Sequence, residues 1–424
     1  MTVKSRPLLL AGMIASFAVA QTPKWEPEIR DAARKAMAQS SVPGLWVVVV
    51  DRGQIIVSEA LGQASATGPT PLTRQTMVRM AGPGELSINL ALFRLSEIGK
   101  LDLDAPISRY VQVHPALGRV TANQLIANRS GLRAKHFTKP LWDDADLSQE
   151  VRSWDEKAFV ANPGETASHS HYGIALGGYL VESIAGKPFP DAMRELVWGP
   201  MGVLSGTTRV CDVLTFPIAQ GHSVRNGVAE VIRPFGRGFI GWPNGPFLSL
   251  NDLDRFALAL AKPTTSERLG DRGKWTRSWS WAGIAFTAVV DAERGFCALI
   301  ADNGSGFAQS SLARTIQQVA LGEEPPGPPA AVSWKPVEQR LYNQLVGIYE
   351  NETLIEIAVR GGKLVLQGGN SSGEIEQSAD NVFQAPVVIV EGIPAFRSTF
   401  SIEAWNEGKA RRLRIGSRVW TRKQ

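Results

Sequence analysis

Cysteine is nearly absent. Cys211 and Cys297 are the two cysteines in 424 residues, too few for a disulfide scaffold, and neither has a second cysteine or a histidine at metal-ligand spacing. They read as separate thiols, one in a loop and one in a buried strand, with a single bridge between them as the alternative. Charge of one sign is not concentrated either: 45 basic and 40 acidic side chains leave a formal charge of +5, with no basic block interleaved with aromatics before the extreme C-terminus. Nucleic acid is therefore excluded as the expected partner. Beyond residue 20 no apolar run reaches the ~18 residues that a membrane-spanning helix needs. At 44% hydrophobic and 20% charged residues, the composition also excludes disorder, collagen and coiled coil.

What is present begins with Lys4 and Arg6, an apolar run from Pro7 to Ala20, and small residues Ala18 and Ala20 before Gln21. This predicts a secretory signal peptide over 1–20 and an exported chain, periplasmic or secreted in a bacterium. Glycine (41) and proline (26) make about 16% of the chain against a usual ~12%, which implies many loops.

Residues 25–40 read as an amphipathic helix, followed by two strands, GLWVVVVD (44–51) and QIIVSEA (54–60), joined at Arg52 and Gly53. From Pro83, apolar residues at helical spacing run to a stop at Gly99. Helical patterns recur at 121–128, 172–185, 251–261 and 308–320, and a second hairpin spans 283–291 and 295–302. The order predicts an α/β (α+β) architecture: an antiparallel sheet flanked by helices, with a helical insert from about 85 to 260. Residues 321–336 hold five prolines and read as a linker. Short strand-like runs over 337–424 predict a small antiparallel β-barrel. Domains are therefore expected at 21–320 and 337–424. Seven basic side chains near the end (Lys409, Arg411, Arg412, Arg414, Arg418, Arg422, Lys423) read as a solvated strand face, with contact to an anionic envelope surface as the alternative.

The stretch RMAGPGELSINLALFRLSEIGKLDLD (79–104) resembles the first motif region of the serine β-lactamase and penicillin-binding D,D-peptidase superfamily, class C members above all. The resemblance continues in order through VTANQLIANRSGLRA (120–134), PGETASHSHYGIALGGYLVESIAGKPF (163–189), ELVWGPMGV (195–203), PFLSLNDLDRFALAL (246–260) and GIAFTAVVDAERGFCALIADN (283–303). It implies the β-lactamase/transpeptidase fold over 25–320, with a lipocalin-like C-terminal domain.

Catalysis in that superfamily needs a serine nucleophile, a lysine three residues on, a Tyr-x-Asn element and a Lys-Thr-Gly or His-x-Gly strand. The resemblance puts Gly82 at the serine position and Glu85 at the lysine position. A glycine cannot attack, and a carboxylate reverses the charge of the base. No lysine in the chain has Ser or Thr three residues before it. Ser87, five residues on, lies about 140° round the helix and reads as a serine bonded to a carbonyl one turn back. His169, Ser170 and His171 fall at Tyr-x-Asn, and Arg277, Ser278 and Trp279 near the third element.

With the superfamily's backbone, Glu85, His169, His171 and Arg277 converge in the cleft, Glu85 and Arg277 as an ion pair. The expected function is a non-catalytic binding protein for a small peptide, a cell-wall fragment or a partner protein, without cofactor or metal. The alternative is an ester or amide hydrolase using Glu85, His169 and His171 as acid and base or as metal ligands, or a relocated serine, Ser168 or Ser170. The resemblance also puts His222 and Trp242 at the cleft border. GRGFIG (236–241) precedes no helix and reads as no nucleotide site. Trp275, Trp279 and Trp281 read as packing, and His136 as a loop residue. Nothing in the residues sets an oligomeric state.

Overall fold

The structure, a computed structural model, describes residues 23–134, 137, 140–232, 242–243, 245–304, 307–324, 332–351, 353–368, 371–379, 381–385 and 398–423. The predicted signal peptide, His136 and GRGFIG lie outside the described residues. Helix α1 (Glu26–Ser40) leads into strands β1 (Gly44–Asp51), β2 (Gln54–Ser65) and β3 (Gly68–Pro71). After a largely helical stretch come β4 (Lys274–Trp281), β5 (Ile284–Asp291) and β6 (Phe296–Asp302). The six strands form one sheet in the order β3-β2-β1-β6-β5-β4. The two predicted hairpins thus meet side by side, β1 pairing antiparallel with β6 in the register Val47↔Ile300.

All eight residues of β1 are buried, because helices cover both faces of a central strand. Leu45, Val47 and Val49 pack with Ile29 and Ala33 of α1 and with Leu312 and Ile316 of α5 (Phe307–Leu321). Trp46, Val48 and Val50 point the other way, into the core shared with α2 (Ala81–Glu97) and α4 (Leu250–Leu260). Two-sided burial is what an unbroken apolar run encodes, each such side chain contributing about 1.5–3 kcal/mol. The edge strand β4 alternates instead: Trp275, Arg277, Trp279 and Trp281 are less exposed than Thr276, Ser278 and Ser280.

Helix α2 runs through the middle of this lobe with residues 82–89 buried, and stops where Gly99 takes φ +70°. Its polar residues Glu85, Ser87 and Asn89 are therefore inside the protein and need partners. Helix α3 (His171–Ala185) packs on α2, with the backbone of Gly177 facing Ile88 and Leu92.

The second lobe is a ten-stranded antiparallel sheet curled into a half-barrel. Its strands are β7 (Lys335–Pro336), β8 (Gly347–Glu350), β9 (Leu354–Arg360), β10 (Lys363–Gly368), β11 (Ser371–Glu374), β12 (Glu376–Ala379), β13 (Val382–Ala385), β14 (Ser398–Asn406), β15 (Lys409–Ile415) and β16 (Arg418–Arg422). They run in the order β7-β12-β13-β14-β15-β16-β8-β9-β10-β11. Tyr349, Phe383, Phe400, Leu413 and Trp420 fill its interior. Among the described residues no helix is long and apolar enough to cross a membrane. Cys211, exposed in a single turn of helix, and Cys297, buried in β6, are both free thiols.

Of the basic residues near the end, Lys409, Arg411 and Lys423 are exposed as expected, whereas three others depart from the solvated face. Arg412 is 4% exposed and ion-paired with Glu165 of the first lobe. Arg414 donates to the Ala167 carbonyl, and Arg422 donates to the carbonyls of Gln344, Val346 and Ala410. A hydropathy pattern cannot tell such inward arginines from solvated ones, because the residues that receive them lie 70 or more positions away in most of these pairs.

Candidate functional site

The N-terminal turn of α2 lies against β4 and β5. A β-carbon built on Gly82 would fall 2.5 Å from Cε3 and 2.7 Å from Cδ2 of Trp279, and 2.7 Å from Cδ1 of Phe286. Real β-carbons do not approach other atoms that closely, so the Trp279 ring occupies the space a side chain at 82 would need. Phe286 backs the indole, with ring centroids 5.8 Å apart.

Glu85, one turn further along α2, is 7% exposed. Its Oε2 accepts from Trp279 Nε1 at 3.0 Å and its Oε1 from Asn128 Nδ2 at 3.1 Å. His169 Nδ1 stands 3.9 Å from Oε2, outside hydrogen-bond reach. The carboxylate is thus held by two neutral donors, one of them the residue that covers Gly82.

The expected Glu85–Arg277 ion pair does not form. Arg277 donates to the Leu269 carbonyl and lays its guanidinium 5.3 Å from the centre of the Trp275 ring. The reason is strand geometry. Arg277 and Trp279 share a face but sit about 7 Å apart along β4, and Trp279 takes the place beside Glu85.

The segment 165–171 brings in the histidines. Ser170 is the N-cap of α3, accepting from Gly173 N at 2.9 Å while donating to the Arg133 carbonyl at 2.6 Å. It sits at a helix N-terminus, with its hydroxyl engaged in the cap. His169 and His171 flank it with rings 5.0 Å apart and nearly perpendicular. His171 is buried, 6.2 Å from the Trp281 ring. The His169 amide donates to the Ser417 carbonyl at 2.9 Å, and Ser168 Oγ accepts from Val419 N at 3.1 Å. Two residues of the half-barrel therefore fix the backbone that presents His169. Among the described residues no group of three His, Cys, Asp or Glu converges as a metal-ligand set, so Glu85, His169 and His171 do not form one.

Other expectations change in detail. Ser87 is fully buried and accepts from Trp198 Nε1 at 3.1 Å, an indole rather than a backbone partner. His222 is also fully buried. Its Nε2 accepts from Ala66 N at 2.9 Å, and its Nδ1 lies 2.7 Å from the Asn303 carbonyl. Both ring nitrogens are thus held by backbone groups, and burial pushes its pKa below the usual imidazole range. Trp242 is 1% exposed and stacks on Phe137 at 3.4 Å. Asn128 was not singled out from the sequence. Its signal is its place between a helix and Ser130, at φ +53°, a left-handed position that asparagine tolerates.

The sequence profile of the β-lactamase family matches residues 29–321. The chain belongs to the β-lactamase family. Esterase EstB of Burkholderia gladioli is 27% identical over 243 residues, 47% of this chain and 61% of the esterase. The chain thus spans about three fifths of that relative's length. The crystal structure of SurE superposes with a TM-score of 0.71 at 17% identity, covering 94% of this chain and 99% of SurE. The penicillin-binding protein homologue from Pyrococcus abyssi gives 0.58 at 17% identity, covering 93% and 99%. At these identities the structural likeness is one of fold, and it extends over both lobes. In this β-lactamase-family chain, the elements that the resemblance aligns with the superfamily's motifs do meet around Glu85, with Trp279 and Asn128 as its bonded neighbours.

Proposed function

We infer that this protein is a non-catalytic member of the β-lactamase family, one that binds a small peptide, a cell-wall-derived fragment or a partner protein without turning it over. The observation that carries the reading is the contact of Trp279 with Gly82. The position that the resemblance assigns to the nucleophile is a glycine whose side-chain space is filled by an indole, and that indole is bonded to Glu85 where a lysine would stand. Acyl transfer needs an activated nucleophile and room for the acyl group beside it, and the crowding of Gly82 by Trp279 supports the reading that this site provides neither. Ser168 and Ser170, the alternative hydroxyls, are engaged with Val419 N, Gly173 N and the Arg133 carbonyl. Export through cleavage before Gln21 belongs to the same reading.

Intact-mass spectrometry of the purified protein after incubation with a penicillin and, separately, a fluorophosphonate tests it. The expected result is an unchanged mass in a folded sample, starting at Gln21 when the chain is made in an exporting bacterial host. A stoichiometric adduct overturns the reading.

The 3.9 Å approach of His169 to Glu85 favours one second reading, a water-activating imidazole–carboxylate pair. It requires turnover of a p-nitrophenyl ester that His169→Gln abolishes.

A further inference from the structure

A cavity of about 480 Å³ opens between the two lobes, lined by neither Glu85 nor the histidines. That is the size of sites that take small organic ligands. Its first-lobe wall holds Arg133, Trp154, Lys157 and Tyr172, and its second-lobe wall holds Glu350 and Leu354. Arg133, with 17% of its side chain exposed, ties the walls together. It pairs with Glu350 at 3.0 Å and donates to the carbonyls of Asn351 and Lys157. The space is thus bounded by residues already fixed to one another.

The polar groups inside divide into satisfied and unsatisfied. Arg133 and Lys423 share Glu350, at 3.0 and 3.8 Å, and Asp155 caps the Lys157 backbone amide at 2.9 Å. Three of the lining side chains are cations and two are carboxylates, and Glu150, bonded to Trp154 Nε1 at 3.4 Å, adds its negative charge near Tyr172. The Lys157 ammonium and the Tyr172 hydroxyl have no hydrogen-bond or ion-pair partner among the described residues. Both can donate, and burial raises the Tyr172 pKa, which keeps its proton on the oxygen. The Tyr172 ring lies parallel to Trp154, at 4.1 Å and 5°, and to Phe137, at 5.4 Å and 3°. At the rim Leu354 is 55% exposed, a large apolar side chain left facing water.

We propose that this cavity binds a small ligand carrying one carboxylate and an apolar group, the chemistry of a short peptide's carboxyl end. Lys157 and Tyr172 take the carboxylate, and Leu354 with the edge of Trp154 takes the apolar side chain. The proposal rests on the binding reading above and names its ligand class. It also assigns the half-barrel a share of the site, since neither lobe encloses the space alone.

The test is calorimetric titration of the full mature chain with N-acetyl-leucyl-alanine as the free acid and as its C-terminal amide. The acid is expected to bind and the amide at least tenfold more weakly. Lys157→Glu should weaken the acid at least tenfold, and Tyr172→Phe severalfold. No binding of the acid, equal binding of acid and amide, or indifference to Lys157→Glu overturns the proposal. Lys157 is exposed, so this variant decides the matter should Tyr172→Phe lower the melting temperature. The two readings fail separately: a penicillin adduct ends the non-catalytic one, whereas a protein with neither adduct nor acid binding ends this one alone.

Discussion

Gly82 shows how one missing side chain is compensated by a neighbour. In a close-packed interior a glycine leaves a gap unless something fills it, and here the filling group is the Trp279 indole, whose N–H would be unsatisfied without Glu85. Glycine, tryptophan and glutamate are thus one interlocked set. Restoring a hydroxyl by Gly82→Ser should lower stability by about 1–3 kcal/mol, as overpacking does, measured by urea unfolding. The double variant Gly82→Ser/Glu85→Lys should still form no penicillin adduct, because an indole shifted just far enough to admit the β-carbon still crowds the hydroxyl. An adduct on the double variant would mean that Trp279 moves aside readily.

At the scale of elements, helix α3 joins the site to the core. Its first turn is capped by Ser170, and its last turn holds the half-buried Glu182, whose carboxylate accepts from Phe189 N at 3.1 Å. Burial, against the opposing effect of that bond, pushes the Glu182 pKa up to about 7. A carboxyl that holds its proton more tightly in the folded than in the unfolded state stabilises the fold at low pH. That contribution declines as pH rises from the unfolded value near 4.5 through about 7, then levels off. Glu182→Gln should therefore flatten the pH dependence of the unfolding midpoint between pH 4.5 and 7. A variant whose midpoint follows the same slope as the parent would refute the assignment. Elements were the most legible level in the sequence. The β1 run and the helices ending at Gly99 and Gly186 sit within a few residues of their expected places, because burial period and glycine stops are local signals. The pairing of Glu85 was not legible. Resemblance brought Arg277 to the right strand, but the choice between residues 277 and 279 depends on where along β4 the helix crosses, and no local pattern records that.

The whole molecule is held together by a polar seam that the sequence hides. Asn351 is 3% exposed; its Oδ1 accepts from Ala134 N at 2.6 Å and its Nδ2 donates to the Val419 carbonyl at 2.8 Å. Together with the Arg412–Glu165 pair and the Ser417 contact to His169, this asparagine makes the half-barrel part of the first lobe's packing. Asn351→Ala leaves two buried backbone groups unpaired and should cost about 2 kcal/mol. It should also speed exchange of the His169 amide proton, read by hydrogen exchange with mass spectrometry. Unchanged exchange at His169 would show that the seam does not hold the site. Strand β16 follows every other described strand in chain order, yet it lies in the interior of its sheet between β15 and β8, and it supplies Val419 to the seam. During synthesis the first lobe leaves the ribosome long before this strand does. The backbone around Ser168 and His169 gains its anchors from Ser417 and Val419 only once this end of the chain is in place, so the candidate site depends on residues made about 250 positions later.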